Sequence, residues 1–349
     1  MTASQSAQTA ARTPVDPIRL AVPSKGHLYE GVVEILKTAG YKVRRASDRQ
    51  YEATISGHPR FHVVFMRPTD IVTQVQEGRC HLGVTGMDLF AERAAEAEQA
   101  CVVVDDLGYG GCRLVVAVPE SWIDVAHIID LVDLTAEFKD SGKTFRISTK
   151  YPALTQAYLR KWGIYYYQLI DSDGALELHP TLGIADVIVD LTSSGVTLKD
   201  NRLREIEGGT VLDSASCLIG HAPSLRSLID EGPEGPLALL LDAMDGVRAS
   251  EGMLHVEVVG NPAEGGIAPV ANLLRDRGAR HLVHGDVTDE SGRPGWRVTA
   301  LMSAKKLAPC RRALFGLGAS RVVGLPARFV FDRDALTTFD ALRARLGHP

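Results

Sequence analysis

Basic stripes, cysteine pairs, long apolar runs and aromatic mass are all scarce in this 349-residue chain, and each scarcity closes a class of function. Lysine and arginine number 38 against 43 acids, a formal charge of −5 with both signs spread along the sequence, so neither nucleic acid nor an anionic membrane is an expected partner. A polyanion would have to be held by a local cluster of cations. The 5 cysteines, Cys80, Cys101, Cys112, Cys217 and Cys310, are scattered and form no CxxC pair, which fits neither a disulfide framework nor a zinc site and suits a reducing cytoplasm. The 11 histidines include no HxH or HExxH arrangement. No run of roughly eighteen apolar residues occurs, and the opening "MTASQSAQTAARTPVDP" has no basic start followed by an apolar core. Residues 1–16 are expected to be a mobile tail.

What is present is a globular composition, 45% apolar, long enough for two or three compact units. Short apolar runs alternate with helical spacing: "IRLAVP" before "GVVEILKTAG", "FHVVFM" before "RPTDIVTQVQEG", then "HLGVTG" before "MDLFAERAAEAE". A second series begins at "GCRLVVAVP" and runs through "FRISTK", "YPALTQAYLRKWG", "YYYQLI" and "IADVIVDL". Alternation of this kind predicts mostly parallel sheets covered by helices, and two such units in series favour a ligand cleft between them. The strands carry no polar alternation, so both sheet faces should be covered. From about residue 250 the order reads β-α-β-β-α-β, a ferredoxin-like small domain of the type that binds effectors or mediates assembly.

The stretch "DLTSSGVTL", residues 190–198, places Asp190, Thr192, Ser193, Ser194, Gly195 and Thr197 directly after a buried-looking strand. Strand carboxyl ends are where open α/β sheets bind ligands. Gly195 would admit close backbone approach, and N–H groups with the hydroxyls could replace water around a phosphate. Asp190 suits a ribose hydroxyl or a bridging Mg²⁺ instead. An ordinary Asx or Ser/Thr turn accounts for the same residues, since no P-loop or GxGxxG spacing is present. Lys25, on a turn after the first strand, could meet phosphate as a point charge, and Arg67 could meet it as a fork; a solvated lysine and an ion-paired arginine are the structural alternatives. Thr85, Gly86 and Asp88 sit at another strand end, where a tight turn and an N-cap explain them equally well. Ser148 and Thr149 could donate to phosphate and Tyr151 could face a ring, or all three could serve capping.

The segment "GIADVIVDLTSSGVTLKDNRL" resembles the phosphoribosyl-diphosphate loop of the ATP phosphoribosyltransferases, the family that opens histidine biosynthesis. "LAVPSKGHL", "FMRPTDIVTQVQEG", "HLGVTGMD", "GGCRLVVAVP", "STKYPALTQAYL" and "GALELHPTLGIAD" agree with that family in the same order, over roughly residues 18–220. The C-terminal part resembles the regulatory domain of the family's long form. The resemblance implies two periplasmic-binding-protein-like α/β lobes with a cleft, residues 17–110 and 111–203, with a return to the first lobe at about 204–248, a ferredoxin-like domain over 250–335 and an extension over 336–349.

It further implies transfer of 5-phosphoribosyl from phosphoribosyl diphosphate to N1 of ATP, with pyrophosphate released, Mg²⁺ as cofactor and histidine as inhibitor. A homo-oligomer, hexamer interconverting with dimer, goes with the long form. On this pattern Lys25, Arg67, Glu177 and Asp190 are the catalytic candidates, with Glu177 near the ribose. Asp186, Asp190, Thr192, Ser193, Ser194, Gly195, Val196 and Thr197 would bind phosphoribosyl diphosphate. Gly26, Thr85, Gly86, Arg113, Ser148, Thr149 and Tyr151 would bind ATP. Asp190 is also the one metal-binding candidate, with Mg²⁺ carried mainly by the substrate. His27, His81 and Ala175 depart from the family pattern, where arginine, aspartate and serine are usual. Two other readings stand beside this one: a two-lobed binding protein that catalyses nothing, and a phosphoribosyltransferase with a different acceptor base.

Overall fold

The computed structural model describes residues 16–47, 49–93, 99–172, 174–288 and 291–347, so the expected tail lies almost wholly outside the described residues. Two compact units result: residues 1–37, 41–236 and 342–349 in one, and residues 38–40 and 237–341 in the other.

The first unit contains two mixed sheets. The sheet of lobe I is built from β1 (Ile18–Pro23), β2 (Val43–Arg44), β3 (Glu52–Ile55), β4 (Phe61–Met66), β5 (Leu82–Gly86), β6 (Ala100–Val104) and, later in the chain, a strand Ser216–His221. Lobe II is built from β7 (Cys112–Pro119), β8 (Arg146–Thr149), β9 (Gln168–Asp171), β10 (Val187–Thr192) and β11 (Leu203–Ser214), which makes Ser216–His221 β12. Helices α1 (His27–Thr38), α2 (Pro68–Gln76) and α3 (Met87–Glu92) follow β1, β4 and β5; α4 (Asp130–Asp140), α5 (Pro152–Lys161) and α6 (Val196–Asp200) belong to lobe II, and α7 (Ala222–Ile229) follows β12.

Both sheets are wound alike. Lobe I runs β2-β3-β4-β1-β5-β12-β6 and lobe II runs β11-β7-β10-β8-β9. In each, a parallel trio (β4-β1-β5, β9-β8-β10) is followed by one antiparallel strand that the chain delivers on crossing from the other lobe: β12 against β5, and β7 against β10. The chain therefore returns to lobe I at β12, and β11 completes lobe II, although the motif pattern put the return near 204.

The missing polar alternation has a direct cause in packing. Along β7, Leu114, Val116 and Val118 face the helices carrying Leu131 and Leu159, while Val115 and Ala117 face Leu176, Leu198 and Leu203 on the other side. Each such leucine or valine taken from water contributes about 1.5–3 kcal/mol, which is why β7, covered on both faces, is apolar through its middle.

The second unit is ferredoxin-like. α8 (Pro236–Ser250) leads into β13 (Met253–Gly260), α9 (Ile267–Asp276), β14 (Arg280–Thr288), β15 (Pro294–Ser303), α10 (Ala304–Gly316) and β16 (Ala319–Pro326), and the chain closes with α11 (Thr338–Arg345). Its antiparallel sheet has the order β14-β15-β13-β16, and Val256, Val258, Val298 and Ala300 pack on Val270, Leu274 and Leu314. From Leu237 onward α8 goes with this unit, where the motif pattern had given residues 204–248 to lobe I.

Candidate functional site

Every parallel strand that ends in a candidate residue does so at its carboxyl end, which is where the fold presents backbone donors and loops to a ligand. In lobe II, β10 ends at Thr192, whose buried Oγ1 accepts the Gly195 N–H at 2.9 Å and closes the turn. Gly195 takes φ +73, the left-handed region that glycine enters without cost, and serves as the N-cap of α6. The loop thus holds Ser193, Ser194, Val196 and Thr197 exposed beside the first-turn N–H groups of α6, which no intrahelical carbonyl can satisfy. Leu198 is buried and anchors the turn to the sheet.

Asp190 precedes this turn, half-buried. The Leu191 N–H donates to its Oδ1 at 2.8 Å. Burial pushes its carboxyl above the ordinary value of 3.8, the negative charge of Glu177 adds to the rise, and the Leu191 N–H and Lys150 oppose it. Glu177 sits in a 3₁₀ turn, Leu176–Leu178, held down by buried Leu176. Ala175 before it is in the left-handed region at φ 52 without being glycine.

Lobe I supplies charge instead. The turn Ser24–Lys25–Gly26 after β1, with Gly26 at φ +80, and Arg67 after β4 open onto one hollow of about 990 Å³. Lys25, Arg45, Arg49 and Arg67 line it against the acids Glu30 and Asp70, with Tyr29, Tyr51 and Phe65 between them. This is the local cation cluster that a chain of net charge −5 needs in order to hold a polyanion. Arg45 lies over the Phe65 ring at 4.1 Å and donates from Nε to the Gln50 carbonyl, so its head is presented rigidly. Arg45 and Arg49 belong to no motif: they sit on a polar loop between two short strands, and nothing in "RRASDRQY" shows that folding sets it against Lys25. Lys150, inside "STKYP", carries no motif signal of its own.

Most other candidates are engaged by partners within the protein. Thr85 is fully buried and its hydroxyl donates to the Pro68 carbonyl at 3.1 Å. Gly86 has ordinary backbone angles, but a Cβ there would meet Asp88 Oδ1 at 2.3 Å, so its constraint is space. Ser148 is buried with Oγ 2.8 Å from His179 Nδ1, and Thr149 is buried with Oγ1 accepting the Tyr151 N–H at 2.9 Å. Tyr151 does not present its ring to a nucleotide: it is buried, its hydroxyl donates to Asp88 Oδ2 at 2.6 Å, and burial with the Asp88 charge pushes its ionisation well up. Arg113 pairs with Glu205 through both guanidinium ends, at 2.8 and 3.0 Å. Asp186 precedes β10 and stands at the opposite end of the strand from the loop, where Arg146 takes both of its oxygens. Thr85, Gly86, Ser148, Thr149, Tyr151 and Asp186 shape strand ends, whereas Arg113 stands opposite Thr192, beside the loop that leads into α6.

His81, in place of an acid, accepts the Arg19 N–H on Nδ1 at 3.1 Å, and burial lowers its ionisation. Cys112 is half-buried, and burial followed by the charge of Asp88 raises its thiol, which argues against thiolate chemistry. Among the described residues no group of three or more His, Cys, Asp and Glu side chains could hold a metal. The donor set present, Asp190 with Glu177 nearby, fits Mg²⁺ that arrives on a diphosphate, because that ion keeps most of its shell on phosphate and water.

Two lobes of one winding, a cation-lined hollow on the first and a hydroxyl-bearing helix N-terminus on the second, define a two-lobed α/β protein with two surfaces whose chemistry suits phosphate. The comparisons with known proteins narrow the class. The family model described as "HisG: ATP phosphoribosyltransferase" matches residues 67–234. An ATP phosphoribosyltransferase of Brucella anthropi is 42% identical over 205 residues, covering 58% of this chain and 89% of that protein. One from Brucella suis is 42% identical over 213 residues, 60% of this chain and 92% of its own length. One from Bradyrhizobium is 38% identical over 228 residues, 65% of this chain and 69% of its own. Among solved structures, the ATP phosphoribosyl transferase (HisG:HisZ) complex from Thermotoga maritima superposes with a TM-score of 0.50 at 25% identity, over 65% of this chain and 98% of that one. The chain belongs to the ATP phosphoribosyltransferase family and is a phosphoribosyl-transferring enzyme of histidine biosynthesis. No helix among the described residues is long and apolar enough to cross a membrane.

Proposed function

We propose that this enzyme transfers 5-phosphoribosyl from phosphoribosyl diphosphate to N1 of ATP and releases pyrophosphate. The observation that carries the reading is the α6 N-terminus. There Ser193, Ser194 and Thr197 stand exposed around a left-handed Gly195, at the carboxyl end of the strand that also carries Asp190. In this reading the loop from Ser193 to Thr197 binds the 5′-phosphate by N–H and hydroxyl donation, with the partial positive charge of the helix end behind it. Asp190 accepts from ribose hydroxyls, and Glu177 faces the same sugar. Positive charge grows at the ribose as the bond to pyrophosphate lengthens, so carboxylates belong on that side and cations on the other. Lys25 and Arg67, with Arg45 and Arg49, take polyphosphate in the lobe I hollow, and Gly26 lets the Lys25 turn approach it. Arg113 serves ATP indirectly, through the strand it anchors.

Mg²⁺ supplies charge neutralisation on the leaving diphosphate when bound. No residue has to form a covalent bond to the sugar; alignment of two charged substrates is itself a large share of the rate. We assign histidine inhibition to the C-terminal unit, as a coupling free energy and not as a block of the site, and homo-oligomers, hexamer and dimer, to the assembled enzyme in the cytoplasm.

Incubation with ATP, phosphoribosyl diphosphate and Mg²⁺ should give the N1-ribosylated product, read by its changed ultraviolet absorbance together with stoichiometric pyrophosphate. Pyrophosphate release with another purine and none with ATP would point to a different acceptor. Binding of both ligands with no product would contradict the transfer reading.

A further inference from the structure

The two crossings between the lobes leave Asp88 and Glu92 in positions that the substrate reading does not use. β7 starts and β11 ends side by side, Cys112 opposite Ser214, and this is where a hinge between the lobes would lie. α3 of lobe I is fastened to that point: the Met87 N–H donates to the Ala215 carbonyl at 2.9 Å, and the Asp88 N–H to Ser214 Oγ at 3.0 Å. The Ser214 hydroxyl in turn donates to Asp88 Oδ1 at 2.7 Å, and the other carboxylate oxygen accepts the Tyr151 hydroxyl of lobe II at 2.6 Å. Asp88 is only 5% exposed, so its charge is held by these donors and not by water. One turn later, Glu92 accepts the Ala153 N–H at 2.7 Å and the Leu154 N–H at 2.9 Å on separate oxygens. Those are first-turn donors of α5, whose own N-cap residue, Tyr151, makes no side-chain cap. A helix of one lobe is therefore capped by an acid from the other.

We propose that α3 is a brace across the hinge, in which Asp88 and Glu92 fix the angle between the lobes and so act as positioning residues for transfer. The clause about transfer rests on the function proposed above; the brace itself does not. Lobe II holds the sugar donor and lobe I the polyphosphate of the acceptor, so a degree of rotation at the hinge displaces the reacting atoms while leaving each binding surface intact. Loss of the brace should then lower kcat more than it raises either KM. The absence of room for a Cβ at Gly86, caused by Asp88 Oδ1, belongs to the same device.

The test combines amide exchange with kinetics on the full chain, using Glu92→Ala, Glu92→Gln and Tyr151→Phe. Without any substrate, Glu92→Ala should speed exchange of the Ala153 and Leu154 amides at least roughly tenfold, the loss expected of a two-donor cap, with the amides of β10 unchanged. Glu92→Gln keeps one carbonyl acceptor and should recover part of the protection. In turnover, Glu92→Ala and Tyr151→Phe should lower kcat about tenfold or more, with KM for each substrate within about twofold, and Glu92→Gln should fall between. Unchanged exchange in Glu92→Ala, with the variant folded, overturns the brace. Faster exchange with kcat within twofold of the parent overturns the positioning role. If the parent chain transfers no phosphoribosyl group at all, the exchange arm still decides the brace, and only the function proposed above is lost.

Discussion

In the function proposed above, lobe I and lobe II meet phosphorylated ligands by different physics. Lobe I does it with long cationic side chains, Lys25, Arg45, Arg49 and Arg67, gathered from the ends of β1 and β4 and from the loop between β2 and β3. Lobe II does it with backbone N–H groups and short hydroxyls around Gly195, in a loop of consecutive residues. Charge acts over several ångströms, tolerates approximate geometry and weakens with salt; an N–H cradle needs one conformation, and a single Cβ can spoil it. The first suits a flexible polyphosphate tail. The second suits one phosphate that must sit in register with a reacting sugar.

Substitutions should separate the two modes. The largest effect is expected for Asp190→Asn, about a hundredfold or more in kcat/KM for phosphoribosyl diphosphate, the scale of losing one group aimed at developing charge. Its folding stability should not fall. Burial raises the Asp190 carboxyl above 3.8, so this group's contribution to the parent's stability is greatest below that value and declines as pH rises through the folded-state value. Thermal melts should therefore show Asp190→Asn gaining on the parent as pH rises from about 3.8, and holding that gain at neutral pH. Next come Lys25→Ala and Arg67→Ala, each about tenfold or more in affinity for polyphosphate, with a shallower dependence on salt; Arg67→Lys should keep the salt term and lose the fork. Both are read by titration with ATP at several ionic strengths.

Gly195→Ala should raise KM for phosphoribosyl diphosphate severalfold with KM for ATP unchanged, and cost about 1 kcal/mol of stability for a methyl forced to φ +73. A Cβ there would also stand 3.5 Å from Glu205 Oε1, an ordinary contact, so the strain is in the backbone and not in crowding. The smallest effect, about two- to fivefold and confined to polyphosphate binding, is expected for Arg49→Ala, because an exposed cation at the rim is well screened.

The same contrast explains what could be read without coordinates. The lobe II loop is legible because its parts are neighbours in sequence: a strand end, a left-handed Gly195 and exposed hydroxyls follow one another. The lobe I hollow is half legible: Lys25 and Arg67 each follow an apolar run, but Arg45 and Arg49 reach it only through the folding of two short strands that no apolar pattern marks. Asp186 lies apart from the loop. Four residues before Asp190 looks close on paper, yet along a strand it is about 13 Å. The hydroxyls of Thr85, Ser148 and Thr149 sat at strand ends as a ligand would require, but their burial at 0% could not be read from residue type. Asp88 reads as a helix cap, yet its carboxylate meets Ser214 and Tyr151, the latter 63 positions away in the other lobe.

The most direct measurement is a crystal structure of the chain with phosphoribosyl diphosphate and Mg²⁺ bound. The 5′-phosphate should lie within hydrogen-bond reach of the Ser193, Ser194 or Thr197 hydroxyls and the first N–H groups of α6, with the ribose hydroxyls on Asp190. A 5′-phosphate seated among Lys25, Arg45 and Arg67, with the α6 N-terminus facing only solvent, would contradict the division of labour between the lobes.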